Sequence, residues 1–98
     1  MIKHIVMFRI KGEGEIKIIN TDLFKDKLDE LKIKIPEVKY LETGINFSQS
    51  PSSFDIILIS HFATSHDLES YKKHPDHQRV LEIMKEIVSE VAVVDFRI

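Results

Sequence analysis

The sequence contains no cysteine and no tryptophan. Without cysteine there is no disulfide, no zinc–thiolate site and no thiol nucleophile. A long apolar run is also missing. The first apolar stretch is broken by Lys3, His4 and Arg9, and no segment approaches the ~20 apolar residues of a membrane-spanning helix. The start, Met1-Ile2-Lys3-His4, does not read as a signal peptide. These absences lead us to expect a cytoplasmic chain with no membrane contact. Nor is there an excess of positive charge: 14 Lys and Arg stand against 16 Asp and Glu, a net charge of −2. A nucleic-acid or anionic-membrane surface needs clustered Lys and Arg. Here they alternate with acids, as in Lys25-Asp26-Lys27-Leu28-Asp29-Glu30, the pattern of a solvated helix face.

What is present fits one domain spanning residues 1–98. Apolar residues make up 43% of the chain and charged residues 31%, ordinary values for a globular protein. Residues 2–10 read as a strand rich in β-branched and aromatic side chains. Residues 15–19 are ambiguous between strand and helix. Asn20, Thr21 or Asp22 then offers a cap for a helix whose stripe is Phe24, Leu28, Leu31 and Ile35. Pro36 stops it. A second strand is expected over 38–47, with Gly44 marking a bulge or a close backbone approach. The serine-rich segment 48–53 is a loop, and 54–62 forms the most apolar strand. Thr64 and Asp67 have capping-box spacing for a helix over 65–73. Pro75 starts a second helical piece, whose stripe is Val80, Ile83, Met84, Ile87 and Val88. Residues 91–98 make the last strand.

The order β-α-β-β-α-β is that of an α+β, ferredoxin-like fold: a four-stranded antiparallel sheet with helices on one face. At least three strands are apolar on both faces, and helices cover one face only. The uncovered face measures about 500 Å², at the upper edge of what a soluble monomer leaves exposed. We therefore expect a homodimer through the open face of the sheet.

Candidate chemistry gathers in Tyr71-Lys72-Lys73-His74-Pro75-Asp76-His77-Gln78. His77 precedes Val80, Leu81 and Met84 by three, four and seven residues, so it shares the inward stripe of its helix. A helix N-terminus keeps an imidazole neutral. A neutral, partly buried histidine beside a tyrosine is a candidate general base or hydrogen-bond anchor. Tyr71 can reach the same region, and so can His4, which alternates with Val6 and Phe8. His74, held extended by Pro75, either lines the site or caps the helix. His61 and His66 read as structural or exposed. His74 and His77 with Asp76 or Asp67 fall short of a zinc signature, and no metal or other cofactor is expected. There is no phosphate-binding glycine loop and no Ser-His-Asp constellation. Strand 54–62 also lacks the aromatic pattern of an RNA-binding sheet.

Six segments together resemble the stress-responsive A/B barrel (Dabb) family: Ile2 to Phe8, Ile35-Pro36-Glu37-Val38, Gly44-Ile45-Asn46-Phe47, Phe54 to Leu58, Tyr71 to His77, and Val94-Asp95-Phe96. Tyr71-x-x-His74-Pro75-x-His77 is the most specific of them. The resemblance implies a dimeric α/β barrel whose two sheets close around a shared interior. It implies little about activity. A plant member of the family is a polyketide cyclase that closes a linear tetraketide by aldol chemistry. On that pattern His77 would be the base, Tyr71 would assist, and His4 would be the first-strand histidine. The cyclase's third-strand histidine falls here on Ile56. Haem-degrading relatives of the barrel fit poorly, given the missing tryptophan.

Three functions stay open. One is a module binding a small apolar or carbonyl-containing molecule near His77, with His4, His74, Ile56 and Phe8 as lining. Another is a cofactor-independent cyclase or lyase using His77 and Tyr71. The last is a structural homo-oligomer without ligand.

Overall fold

A computed structural model describes residues 1–98. The chain runs β1 (Ile2–Ile10), α1 (Gly14–Asp29), α2 (Leu31–Lys34), β2 (Tyr40–Ile45), β3 (Ile56–Phe62), α3 (Ser65–Lys73), α4 (Pro75–Ile87) and β4 (Val88–Arg97). The four strands form one antiparallel sheet in the order β2-β3-β1-β4. All helices lie on one side of it, the ferredoxin-like α+β arrangement expected from the element order.

Strand alternation sets the two faces. On β1, Ile2, His4, Val6, Phe8 and Ile10 are buried against the helices. On β3, Ile56, Leu58, Ser60 and Phe62 are buried the same way. Phe24, Leu28, Leu31 and Ile35 meet them from above, all essentially inaccessible. The register pairs Val6 with Leu58 on one side and Val93 on the other, so the core runs straight across the sheet.

The other face carries no helix. Its middle rows are apolar: Ile59, Ile5 and Val94 lie in line, then Ile57, Met7 and Ala92. Polar rows bound them. At one end stand Tyr40, His61 and Lys3; at the other, Arg9 and Glu90, joined by a 2.8 Å ion pair.

The first helix begins earlier than Asn20–Asp22. Gly12 and Gly14 both adopt positive φ, at 85° and 68°, and turn the chain out of β1 directly into α1. Residues 15–19 are thus helical, and Thr21 is an interior residue whose hydroxyl donates back to the Lys17 carbonyl at 2.7 Å. The β-branched run Ile16, Ile18, Ile19 mimics a strand but lies largely exposed on the helix. Gly44 marks neither a bulge nor a close backbone approach: it pairs regularly with Ile57, and an added Cβ would stand 3.4 Å from the Ile57 side chain, an ordinary contact. The sheet's one register shift falls instead between Arg9 and Ile10. β2 and β3 are trimmed by two residues or so at their outer ends. β4 starts three residues early, because α4 passes into it at Val88 without a loop.

The broken second helix follows the sequence signals. Thr64 caps α3 by accepting from the Asp67 N–H at 3.1 Å. Pro75 then occupies the first turn of α4, where a missing N–H costs nothing. No helix is long and apolar enough to cross a membrane.

Candidate functional site

The break between α3 and α4 points the end of one helix and the start of the next toward the sheet. Below them lies a cavity of about 490 Å³. Its walls are apolar: Val6, Phe8, Leu28, Leu58, Val80 and Met84 among them. Val91 and Val93 on the edge strand form its half-open side. The cavity thus sits on the helix side of the sheet, within one chain. It does not lie between two open sheet faces, where a shared barrel interior would put it.

Its polar groups converge at one end. Tyr71 is wholly buried, and its hydroxyl has no hydrogen-bond partner. Burial pushes the phenol pKa well up, so Tyr71 stays protonated and is a donor in waiting. The His77 ring lies 4.5 Å from the Tyr71 ring, and its buried Nδ1 also lacks a partner. Burial lowers the His77 pKa. The Lys72 carbonyl opposes that shift, while His4, Lys72 and His74 add to it through their charge. His77 is therefore a neutral base above the ordinary imidazole range. The lowered pKa expected from the helix end comes here first from burial.

His4 completes the cluster from β1. Its ring meets the Tyr71 ring edge-on at 6.1 Å. Its Nδ1 bonds the carboxylate of Asp95, which stands directly opposite on β4. Fixing Nδ1 in this way sets the tautomer and orientation of the ring. In the sequence Asp95 stands out only as part of the segment Val94-Asp95-Phe96, with no role in the site. It alternates with Val91 and Val93 on an inward face, and an acid in that pattern is the signal that points to it.

The remaining candidates separate. Phe8 lines the cavity and packs edge-on against Phe24 at 5.0 Å. Ile56 does not line the cavity: it is buried in the core beside Phe8, its ladder partner, two residues from Leu58, which does line it. His74 is also not lining, because its ring turns back to cap α4, accepting from the Asp76 N–H at 3.1 Å. His74 and His77 therefore face different surroundings and do not converge on one point. His61 lies on the open sheet face against Tyr40, with ring centres 4.7 Å apart, and His66 is exposed. A larger groove, about 1020 Å³, opens beyond the end of β1. Lys17 there pairs with Asp55 at 3.3 Å and Arg9 with Glu90, and no buried side-chain atom is left without a partner there.

The sequence pattern of the Stress responsive A/B Barrel Domain matches residues 2–98. The chain belongs to the stress-responsive A/B barrel family. It is 28% identical over 104 residues to a stress-response A/B barrel domain-containing protein of Arabidopsis thaliana, covering 98% of this chain and 36% of that protein. The chain spans less than half the length of the curated relatives it matches, 36% and 46%. Among solved structures, a dimeric Bacteroides fragilis protein of unknown function with a ferredoxin-like fold is 28% identical. It superposes with a TM-score of 0.83, over 99% of this chain and 95% of that one. The hydroxynitrile lyase of Passiflora edulis has the same TM-score, 0.83, at 19% identity, covering 99% of this chain and 92% of that one. That last likeness is one of fold. The Tyr71–His77 cavity is where this chain leaves buried polar side-chain atoms without a partner.

Proposed function

We propose that this stress-responsive A/B barrel domain, read as one unit over residues 1–98, binds a small and largely apolar molecule in the cavity beneath α3 and α4. The ligand carries one hydroxyl or carbonyl group held by Tyr71 and His77. One observation carries the reading: two adjacent buried polar atoms, Tyr71 Oη and His77 Nδ1, lack partners at the end of an apolar cavity. A buried polar group without a partner costs about 1–3 kcal/mol. A ligand atom that satisfied both would recover that cost. Thermal-shift screening of small apolar ketones, aldehydes and alcohols tests the reading. Hits should raise the Tm of the wild type and not that of His77→Ala. A screen in which stabilising compounds act equally on both proteins would sink it.

A second reading is catalytic. His77 has a lowered pKa and an unpartnered Nδ1, Tyr71 is a donor, and the Asp95-held His4 lines the same cavity. These are the parts of a cofactor-independent lyase or cyclase. His77 would accept a proton from a hydroxyl or an acidic C–H, and Tyr71 would hold the carbonyl oxygen. The fold likeness to a hydroxynitrile lyase lends this some support. Turnover that vanishes in His77→Ala with the fold intact would establish it.

The assembly belongs to the same proposal. The apolar rows of the open face, and the dimeric description of similar structures, support a homodimer packed sheet against sheet.

A further inference from the structure

We infer that His74 is a pH-sensitive hinge for the Tyr71–His77 site: neutral, it holds the first turn of α4 in place, and protonated, it releases that turn. The inference concerns regulation of the same site. It depends on the ligand reading only for its effect on binding.

Tyr71 lies in the last turn of α3 and His77 in the first turn of α4, so the turn between them sets their spacing. His74 ties that turn down in three ways. Its backbone N–H donates to the Tyr71 carbonyl at 3.1 Å, and its carbonyl accepts from the Gln78 N–H at 3.0 Å. Its ring Nδ1 accepts from the Asp76 N–H at 3.1 Å. Only the last of these depends on charge. A nitrogen that accepts must be unprotonated. Once protonated, Nδ1 becomes a donor facing another donor, and the helix loses its cap. The nearest alternative acceptor is Asp76 Oδ2, at 3.6 Å.

The surroundings decide whether that alternative compensates. Arg79 already holds the other oxygen of Asp76. Lys27, Glu30 and Lys34 border the cleft in which Asp76 and Arg79 lie. Lys72 and Lys73 precede the turn, and His77 follows it. Protonated His74 therefore competes with Arg79 for one carboxylate. Its side chain is 28% exposed, so protons reach it freely.

Hydrogen exchange by NMR on the ligand-free chain tests this. Protection factors for Asp76 to Arg79, corrected for intrinsic rates, are compared at about pH 7.5 and about pH 5.5. In the wild type they should fall roughly 2- to 30-fold on acidification, the range of a lost cap. His74→Asn keeps an acceptor at both pH values and should show only the smaller fall that His77 causes. His74→Ala should show low protection at both. A wild-type fall no larger than that of His74→Asn overturns the inference. Because no ligand is present, this outcome is independent of whether the cavity binds one.

Discussion

The Tyr71 and His77 rings meet 4.5 Å apart across the break between α3 and α4, and each carries a buried polar atom that nothing in the chain satisfies. A core histidine and a core tyrosine that close together would normally bond each other or the backbone. Their failure to do so is the observation on which the proposed ligand site rests.

Tyr71→Phe tests that distinction directly. A tyrosine whose hydroxyl is needed for folding loses stability when truncated. Here the hydroxyl has no partner, so its removal should leave stability unchanged or raise it by about 1 kcal/mol. Urea denaturation measures this. A loss of more than about 1 kcal/mol would mean that the hydroxyl has a partner in solution.

The protonation of His77 sets a second expectation. Its folded pKa is lowered, with burial as the first cause. Below the unfolded value of about 6.5, the unfolded chain binds a proton that the folded chain resists. Stability therefore rises with pH from the folded value up to the unfolded one and is lost as pH falls through that window. His77→Gln should flatten the profile of Tm against pH on the acid side of about 6.5. An equally steep profile in the variant would assign the titration elsewhere.

A third expectation concerns Asp95, which holds His4 by Nδ1. Asp95→Asn keeps the shape and removes the charge. Asp95 is about one-third exposed, so solvent screens the pair and the stability loss should stay near ~1 kcal/mol. The larger effect should fall on the ring. Nitrogen-15 spectra should show His4 as a mixture of tautomers in the variant and as a single tautomer in the wild type. A single tautomer in both would mean that another group orients the ring.

The link between α1 and β2 gives a fourth. Thr43 donates to Asp29 at 2.5 Å, and Lys25 donates to its other oxygen at 2.7 Å. Burial alone would raise the Asp29 pKa, but these two bonds outweigh it and lower the value. A depressed carboxylate contributes stability above its unfolded value of about 3.9, lost as pH falls through the folded one. Thr43→Val should make the protein less sensitive to acid over that range in circular-dichroism melts. Unchanged sensitivity would show that Lys25 alone sets the shift.

Much of this was legible in the chain. Alternation on β1 and β3 marked both faces of the sheet, because a period of two leaves little choice once one face is buried. Thr64 and Pro75 announced the starts of α3 and α4 through local chemistry, and the register of His77 with Val80, Leu81 and Met84 turned it inward. The start of α1 was hidden, because Ile16, Ile18 and Ile19 look like a strand. What decides it is the positive φ of Gly12 and Gly14, a backbone property that no side-chain pattern reports. The His4–Asp95 pair was hidden for another reason. The two residues are 91 apart in sequence, and only the pairing of β1 with β4 brings them opposite each other.

The open face supplies the last prediction. Its middle rows, Ile59-Ile5-Val94 and Ile57-Met7-Ala92, form an apolar band closed at both ends by polar rows. Two such faces of about 500 Å² each bury about 1,000 Å² together, the lower limit for a stable interface. Val94 is 58% exposed in the single chain, so a charge there costs the monomer little. Val94→Asp should leave the melting curve of the folded chain nearly intact yet shift its mass in sedimentation from twice 11.4 kDa to 11.4 kDa. Ser89→Asp, at the polar end and also exposed, should leave the dimer in place. The middle rows explain this difference, because an aspartate buried there would have no cation opposite it, whereas at the rim it stays in water. A wild type that sediments as a single chain at micromolar concentration removes the dimer. A Val94→Asp protein that still pairs moves the interface off this face, toward the long unpaired edge of β4.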